Sequence, residues 1–454
     1  MAGQPWTKFQ DFYLRLGFLK ALVGALSPQR RSAANESIIR RVQQPLLALA
    51  KGISAELFGN ALARLPDGAR PKDAESKMTV AEALLIISDC PSWLYGITHD
   101  TAYKILDWGH NVGFVGAGNQ ITERGLLLRQ LLPDTHVQHF FAGDPLAWNP
   151  FILSDLERIF FLYHLSDIDQ LTAEIILRLG EHHTSGILEA PDAGEVTCRA
   201  LFHVLDRARP TLLPRDLPRF RAARELACTI ARELDLSDLL KTCAGSFPRI
   251  PKARIPIAAA STRKTTKNAD HQTIPRFEQL VDLGFVIKPS GPADAPSSFK
   301  MLPPRRWRYE PTDRCQLWRD SILTSSDDRN WLWTRFASAA VRCGLGGAHA
   351  KTGPLTPSAL VRFLATAYDR VHRPIGHTPL ESVALVAMML AAVERCVLEM
   401  ATVHELLLTL KKSSLLPDHV FFASGNELDK MFVLFKPGFD SKLLEIYEHV
   451  PLPT

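Results

Sequence analysis

The chain reads Leu283-Gly284-Phe285-Val286 at the end of one helical segment and Thr312-Asp313-Arg314 at the start of another. An earlier copy of the same pattern reads Val112-Gly113-Phe114-Val115 and then Thr122-Glu123-Arg124. The aromatic and β-branched residues after each glycine, Phe and Val, favour a short strand. Each threonine can cap a helix, because its side-chain oxygen accepts from an N–H of the first turn. The pattern therefore predicts helix, strand, hairpin and helix, twice.

The two hairpins differ in length and charge. The first turns through Gly116-Ala117-Gly118-Asn119, which suits a tight connection. The second has an extended tip from Pro289 to Ser298, rich in proline, serine and alanine, and a basic returning strand. That strand places Arg305, Arg306 and Arg308 around Trp307. Only the second hairpin therefore offers several positive charges.

Residues 79–132 and 273–323 resemble prokaryotic winged-helix domains, through the Gly-Phe-Val tetrapeptides and the Thr-acid-Arg helix starts quoted above. In that superfamily the helix before the first strand enters the major groove, and the hairpin reaches the backbone or the minor groove. The resemblance implies that the helices around Asp100–Trp108 and Pro275–Val281 read DNA. The same fold also serves as a protein-binding scaffold, so it does not settle function.

The expected fold class is mainly α with small β-hairpins, as tandem winged-helix units separated by helical bundles. A chain of 454 residues is too long for one ordinary core, so several domains are expected. The predicted regions are a helical region at 1–75, a first winged unit at 76–135, a helical region at 145–245, a basic segment with the second winged unit at 246–325, a helical region at 326–400 and a winged-helix-like tail at 401–454.

Basic residues supply the candidate DNA contacts, because phosphates are bound by localised positive charge. Residues 239–269 contain no acidic residue and could form a mobile basic arm. The predicted contact residues are Arg276, Lys288, Lys300, Arg305, Arg306, Arg308, Arg263, Lys264, Lys267 and Lys104. Each prediction has an alternative. In the wing, Trp307 and Tyr309 would be buried while the neighbouring arginines stay solvated. The acid-free segment would be an ordinary solvated linker.

Composition narrows the class of protein. A net charge of +5 is compatible with a polyanionic partner but does not require one. The seven cysteines form no CxxC pair and are expected to be separate, reduced thiols in a cytosol. The longest apolar stretch, Val383 to Val393, is far shorter than a membrane span and predicts a buried helix. Glu181-His182-His183 lacks metal-ligand spacing, so we expect no metal and no cofactor.

The sequence thus predicts a cytoplasmic protein that binds duplex DNA without catalysis of its own. By analogy with large multi-winged proteins, it would be a subunit of a prokaryotic DNA-processing or antiviral defence system. The alternative is a protein–protein adaptor whose wings and bundles dock a partner enzyme. A third hypothesis is an enzyme whose site assembles from residues distant in sequence. Basic charge gathered on one face would favour DNA binding. An exposed apolar patch would favour the adaptor, and a pocket with buried ionisable groups would favour the enzyme.

Overall fold

The computed structural model of the chain is mainly helical, with a few short antiparallel strands, which confirms the expected mainly α class. It describes residues 15–26, 33–64, 99–181, 186–188, 190–209, 217–244, 267–288, 309–323, 331–346, 355–372, 378–413, 420–423 and 432–447.

The helices are α1 (Leu16–Ala25), α2 (Asn35–Arg64), α3 (His99–Asn111), α4 (Glu123–Leu131), α5 (Asp134–Ala142), α6 (Asp155–Ile168), α7 (Gln170–Glu181), α8 (Ala190–Ala208), α9 (Leu217–Glu233), α10 (Ser237–Ala244), α11 (Lys267–Leu283), α12 (Asp313–Leu323), α13 (Trp331–Thr334), α14 (Phe336–Arg342), α15 (Pro357–Val371), α16 (Leu380–Val393), α17 (Met400–Ser413) and α18 (Phe439–Tyr447). The strands are β1 (Val286–Ile287), β2 (Glu310–Pro311), β3 (Thr378–Pro379), β4 (Val420–Ala423) and β5 (Phe432–Phe435).

Two stretches of the chain follow the same path. From α15 the chain passes through β3, α16, α17, β4, β5 and α18, and its sheet has the order β3-β5-β4. From α7 it passes through Leu188, α8, α11, β1, β2 and α12, with α9 and α10 inserted before α11. Leu188 forms an isolated bridge with Tyr309 next to β2, and β2 pairs with β1, so the order of pairing matches that of the later sheet.

These sheets cross the limits expected from sequence. The first strand of the later sheet is β3, upstream of residue 401, where the tail unit was expected to begin. Leu188 lies upstream of residue 246 and pairs with Tyr309. The predicted domain limits stay a prediction, but the later sheet and the Leu188–Tyr309 bridge each join residues from both sides of one limit.

The helix α6 lies at the centre of the described structure. It packs against α4, α7, α11, α13 and α16. Ser154 and Glu157 form a capping box at its start, in which each side chain bonds the other residue's backbone N–H. Buried apolar residues form a continuous cluster from Leu16 to Leu443 around it. The run from Val383 to Val393 lies in α16 and is buried except at two residues, so the predicted buried helix is confirmed.

A buried ion pair joins α1 to α6. The Lys20 ammonium lies 2.9 Å from a Glu157 carboxylate oxygen, and both side chains are almost fully buried. The ammonium also donates to the carbonyl oxygen of Ile152 at 2.8 Å. Burial lowers the pKa of Lys20, while Glu157 opposes that shift. Removing either partner would leave an uncompensated buried charge, so this pair helps to fix how α1 docks.

Both Gly-Phe-Val copies follow the end of a helix, as predicted. Gly113 and Gly284 have φ angles of +73° and +78°, which only glycine adopts easily. The next N–H, of Phe114 or Phe285, donates to the carbonyl five residues back, at 2.9 Å and 3.0 Å. This is the hydrogen bond that closes a glycine-terminated helix. Each glycine therefore ends its helix and directs the following phenylalanine into the core.

The threonines close each copy in the same way. The Thr122 hydroxyl donates to the Gly113 carbonyl at 2.6 Å. The Thr312 hydroxyl lies within hydrogen-bond distance of the Gly284 carbonyl, at 3.1 Å, and of the Phe285 carbonyl, at 3.0 Å. In the first copy the strand pair is a single bridge between Val115 and Ile121. The predicted helix, extended segment and closing helix are thus present in both copies, and the first contains almost no sheet. The turn predicted for the second copy lies outside the described residues.

The cysteines correct one expectation. Cys228 of α9 and Cys243 of α10 form a disulfide, with their Cα atoms 6.0 Å apart, whereas the sequence predicts that every cysteine is a separate thiol. Their partnership was missed because it depends on the helical hairpin that brings α9 and α10 together. Cys198, Cys315 and Cys343 are buried free thiols.

Candidate nucleic-acid interface

The residues on either side of the second predicted hairpin, 286–288 and 309–311, form a firmly held root. Val286 pairs with Pro311 and Ile287 pairs with Glu310 in antiparallel register. The N–H of Leu188 donates to the Tyr309 carbonyl at 2.7 Å, and the N–H of Tyr309 donates back to Leu188 at 3.0 Å. Val286 and Tyr309 are fully buried. The chain between residues 288 and 309 therefore starts and ends at one fixed place on the molecule.

A buried carboxylate lies beneath this root. Glu278 of α11 is fully buried and receives the Tyr309 hydroxyl at 3.0 Å. The Lys288 ammonium lies 2.6 Å from the same carboxylate oxygen, and an Arg15 nitrogen lies 3.3 Å from the other. Glu278 thus links both ends of the hairpin to the residue that precedes α1.

Asp282 extends the cluster by one turn of α11. Its carboxylate accepts from Arg15 Nε at 2.8 Å and from the backbone N–H of Leu16 at 2.9 Å. A carboxylate on a first-turn N–H stabilises the start of a helix. Burial alone would lower the pKa of Arg15, but Asp282 and Glu278 outweigh it and raise that pKa. Two cations, Arg15 and Lys288, therefore face two carboxylates, so the root is close to neutral.

The helix α11 does not face solvent. Every side chain from Gln272 to Leu280 is buried, because α6, α8 and α9 pack around it. Arg276 is fully buried, its Nε lies 3.3 Å from Asp169 Oδ2, and its Nη1 donates to Gln272. The prediction that this helix reads a DNA groove, with Arg276 among its contacts, is therefore wrong for this structure.

The other predicted contacts fall into three groups. Lys288 is at the hairpin root, partly exposed, and paired with Glu278. Lys104 is half-buried on α3, next to the core residues Ile105 and Leu106. Lys267 begins α11, and its side chain lies outside the described residues, as do the whole residues Lys300, Arg305, Arg306, Arg308, Arg263 and Lys264. Among the described residues, Lys288 is thus the only predicted contact that lies at the root of the wing.

Sequence reasoning missed the residues that hold this root: Arg15, Glu278, Asp282 and Tyr309. Glu278 and Asp282 stand four residues apart on one helix, which is the spacing of a shared face. That spacing gives no sign of burial, since two acidic residues on one face usually indicate a solvated surface. Their main partner, Arg15, is more than 260 residues away in sequence. Only the packed structure could reveal the cluster.

Comparisons with known proteins add no relative. No family model matches the chain, and neither a curated protein nor a solved structure is significantly similar to it. Within the described ranges, no helix combines the length and apolar character of a membrane span. Across those same ranges, no cluster of three or more histidine, cysteine, aspartate or glutamate side chains could hold a metal ion.

Proposed function

We propose that the chain binds duplex DNA through the hairpin between residues 288 and 309, without reading base sequence and without chemistry of its own. The observation that carries the proposal is the anchored root: paired strands over a buried carboxylate hold the two ends of this segment at one place. Fixed ends suit contact with phosphates, which positions a protein on DNA but carries no sequence information.

The charge of the hairpin supports the same function. Residues 289–308 contain Lys300, Arg305, Arg306 and Arg308 but only one acidic residue, Asp294. Lys288 is already neutralised by Glu278, so we assign it to the root rather than to the DNA contact. Four basic residues on one hairpin can release counterions from several phosphates, which drives binding to duplex DNA.

We further propose that the two matching paths, through β1 and β2 and through β3, β5 and β4, are winged-helix units. Each path resembles that fold in its order of elements: a helix, an extended segment, two helices and a two-stranded hairpin. In each, the first extended segment lies beside the last strand. In the earlier of these two units the helix α11, which would read the groove in a winged helix, is buried. DNA contact is therefore assigned to the wing alone.

Duplex binding measured by fluorescence anisotropy across a salt series tests the proposal. The triple variant Arg305→Ala, Arg306→Ala, Arg308→Ala should bind more weakly, and its slope of log K against log salt should fall by about 0.9 for each phosphate that the variant no longer neutralises. A control variant with the same charge change replaces Arg207, Arg221 and Arg232, which are exposed on α8 and α9, with alanine. Equal affinity and slope in the wild type and the folded wing variant would exclude the wing.

An adaptor role is the second candidate, because the described surface exposes large apolar side chains. Leu146 is 73% exposed and Ile152 is 69% exposed, and both lie in the connection between α5 and α6. The buried α11 also fits a unit that docks a partner enzyme of a DNA-processing or defence system rather than DNA. The adaptor role would be favoured if the double variant Leu146→Ser, Ile152→Ser no longer bound the partner enzyme. Its affinity for duplex DNA should then equal that of the wild type, or both proteins should fail to bind DNA.

A further inference from the structure

A small cavity lies among four helices of the N-terminal part. Gly24 of α1, Arg41 of α2, Arg129 of α4 and Phe141 of α5 contribute to its lining, and its volume is about 270 Å³. This is just below the range of about 300–1,000 Å³ that is usual for small-molecule pockets, so it suits only a small ligand. Gly24 provides room here, because a Cβ at that position would lie 2.9 Å from the Phe141 ring.

The lining carries positive charge and no acidic side chain. The guanidinium carbon of Arg41 lies 5.8 Å from the centre of the Phe141 ring, which holds it by a cation–π contact. Among the described residues no carboxylate lies within ion-pair distance of Arg41. An arginine held in place over an aromatic ring keeps its hydrogen-bond donors available to an anion.

Arg129 supplies the second guanidinium. Its Nη1 is paired with the Asp134 carboxylate, which is itself largely exposed. Its Nε is buried and has no hydrogen-bond partner among the described residues. Buried N–H donors are normally satisfied, so this one is suited to an acceptor brought by a ligand. Of the two guanidinium groups, which come from different helices, only that of Arg129 has a carboxylate partner in the part of the chain that the structure describes, so a net positive charge remains.

We propose that this cavity binds the phosphate group of a small phosphate monoester. A phosphate presents three terminal oxygens and up to two charges, so it can accept from both arginines at once. Val137, Phe141 and Ala142 form an apolar wall for the organic part of the ligand. A backbone phosphate of DNA has the same chemistry, and the two sources are separated by the experiment below.

Isothermal titration calorimetry with inorganic phosphate and with adenosine monophosphate tests the site. The wild type should bind one equivalent, and Arg41→Gln should bind about tenfold more weakly, because one charge-assisted hydrogen bond to the phosphate is removed. Arg40→Gln is the matched control, since Arg40 is the exposed neighbour on the same helix and does not line the cavity. Arg41 is exposed, so its variant should fold; circular dichroism melting confirms this.

Competition identifies the source of the phosphate. If a short duplex displaces adenosine monophosphate and binds Arg41→Gln more weakly, the site takes a backbone phosphate; if it does neither, the site takes the free monoester. The wing variant should bind adenosine monophosphate like the wild type, so failure of the DNA proposal leaves this one standing. No binding by the wild type up to about 10 mM, or equal weakening in Arg40→Gln, would overturn the phosphate site.

Discussion

Arg276 and Asp169 form an ion contact in which both side chains are fully buried, with Nε and Oδ2 3.3 Å apart. Burial lowers the pKa of the Arg276 guanidinium, and Asp169 opposes that shift. The Thr172 hydroxyl donates to the same Asp169 oxygen at 2.7 Å. The pair ties α11 to the turn between α6 and α7. In this structure Arg276 thus contributes to internal packing, whereas the sequence predicted that it contacts DNA.

Arg276→Ala should lower the free energy of unfolding by about 3–5 kcal/mol, because Asp169 would be left as an uncompensated buried charge. Chemical denaturation monitored by circular dichroism measures the effect. Arg362→Ala is the comparison: its side chain and that of its partner Glu394 are 54% and 45% exposed, so the decrease should stay below about 1 kcal/mol. Equal denaturation midpoints for the two variants would show that Arg276 is not buried in solution.

Thr122→Val and Thr312→Val should each lower the free energy of unfolding by about 1 kcal/mol. Valine keeps the shape of threonine but removes the hydroxyl that lies within hydrogen-bond distance of the Gly113 or Gly284 carbonyl. Thr122 also accepts from the N–H of Gly125 at 3.1 Å, so its variant loses a helix cap as well. Thr122→Ser keeps the hydroxyl and should keep most of the stability. If serine and valine proved equally harmful, methyl packing would be responsible instead of the hydrogen bonds.

Gly125 and Cys315 occupy equivalent positions, three residues after each threonine, and should respond differently to alanine. A Cβ at Gly125 would lie 2.3 Å from the Phe114 carbonyl oxygen, so Gly125→Ala must displace backbone and should cost about 1–3 kcal/mol or more. Cys315→Ala removes a buried sulfur atom together with the hydrogen bond of its thiol to the Phe285 carbonyl, at 3.2 Å, but displaces no backbone, and should cost about 1 kcal/mol. The midpoint of thermal unfolding should therefore be lower for Gly125→Ala than for Cys315→Ala. The reverse order would contradict the close approach of Gly125 to the Phe114 carbonyl.

His164 should make the protein sensitive to mild acid. Its ring is buried beside Phe114, Phe160 and Tyr163, and burial, aided by the charge of Arg124, lowers its pKa well below the usual value. The unfolded state then binds a proton that the folded state does not. Stability is complete above about pH 6.5 and is lost as pH falls, by up to about 1.4 kcal/mol per pH unit.

His164→Phe should remove that part of the acid sensitivity while keeping the aromatic packing. Unfolding free energies measured from pH 7 to pH 5 should fall less steeply in this variant than in the wild type. His136→Gln, at an exposed histidine, is the control against which the slope of His164→Phe is compared. A variant as acid-sensitive as the wild type would mean that His164 is protonated in the folded state.

Local features of the fold could be predicted because they depend on a few neighbouring residues. Gly113 and Gly284 end helices since glycine alone reaches positive φ without strain, and the threonines after them can bond back to the carbonyls that those ends leave free. The amphipathic spacing of apolar residues likewise predicted a mainly helical chain, and the apolar run from Val383 to Val393 predicted a buried helix. None of these needs a distant partner.

The burial of α11 could not be predicted from the sequence, because it depends on tertiary packing. Arg276, Glu278 and Asp282 suggest a solvated helix when they are read in sequence, because charged residues are rarely buried without partners. Their partners are Asp169, Arg15 and Lys288, and the first two lie more than 100 residues away along the chain. A charge can be buried when an opposite charge meets it in the fold, and one-dimensional spacing does not report which residues will meet. The sequence alone thus determined the turns and helix ends, whereas packing decided that the expected DNA-reading helix is part of the core.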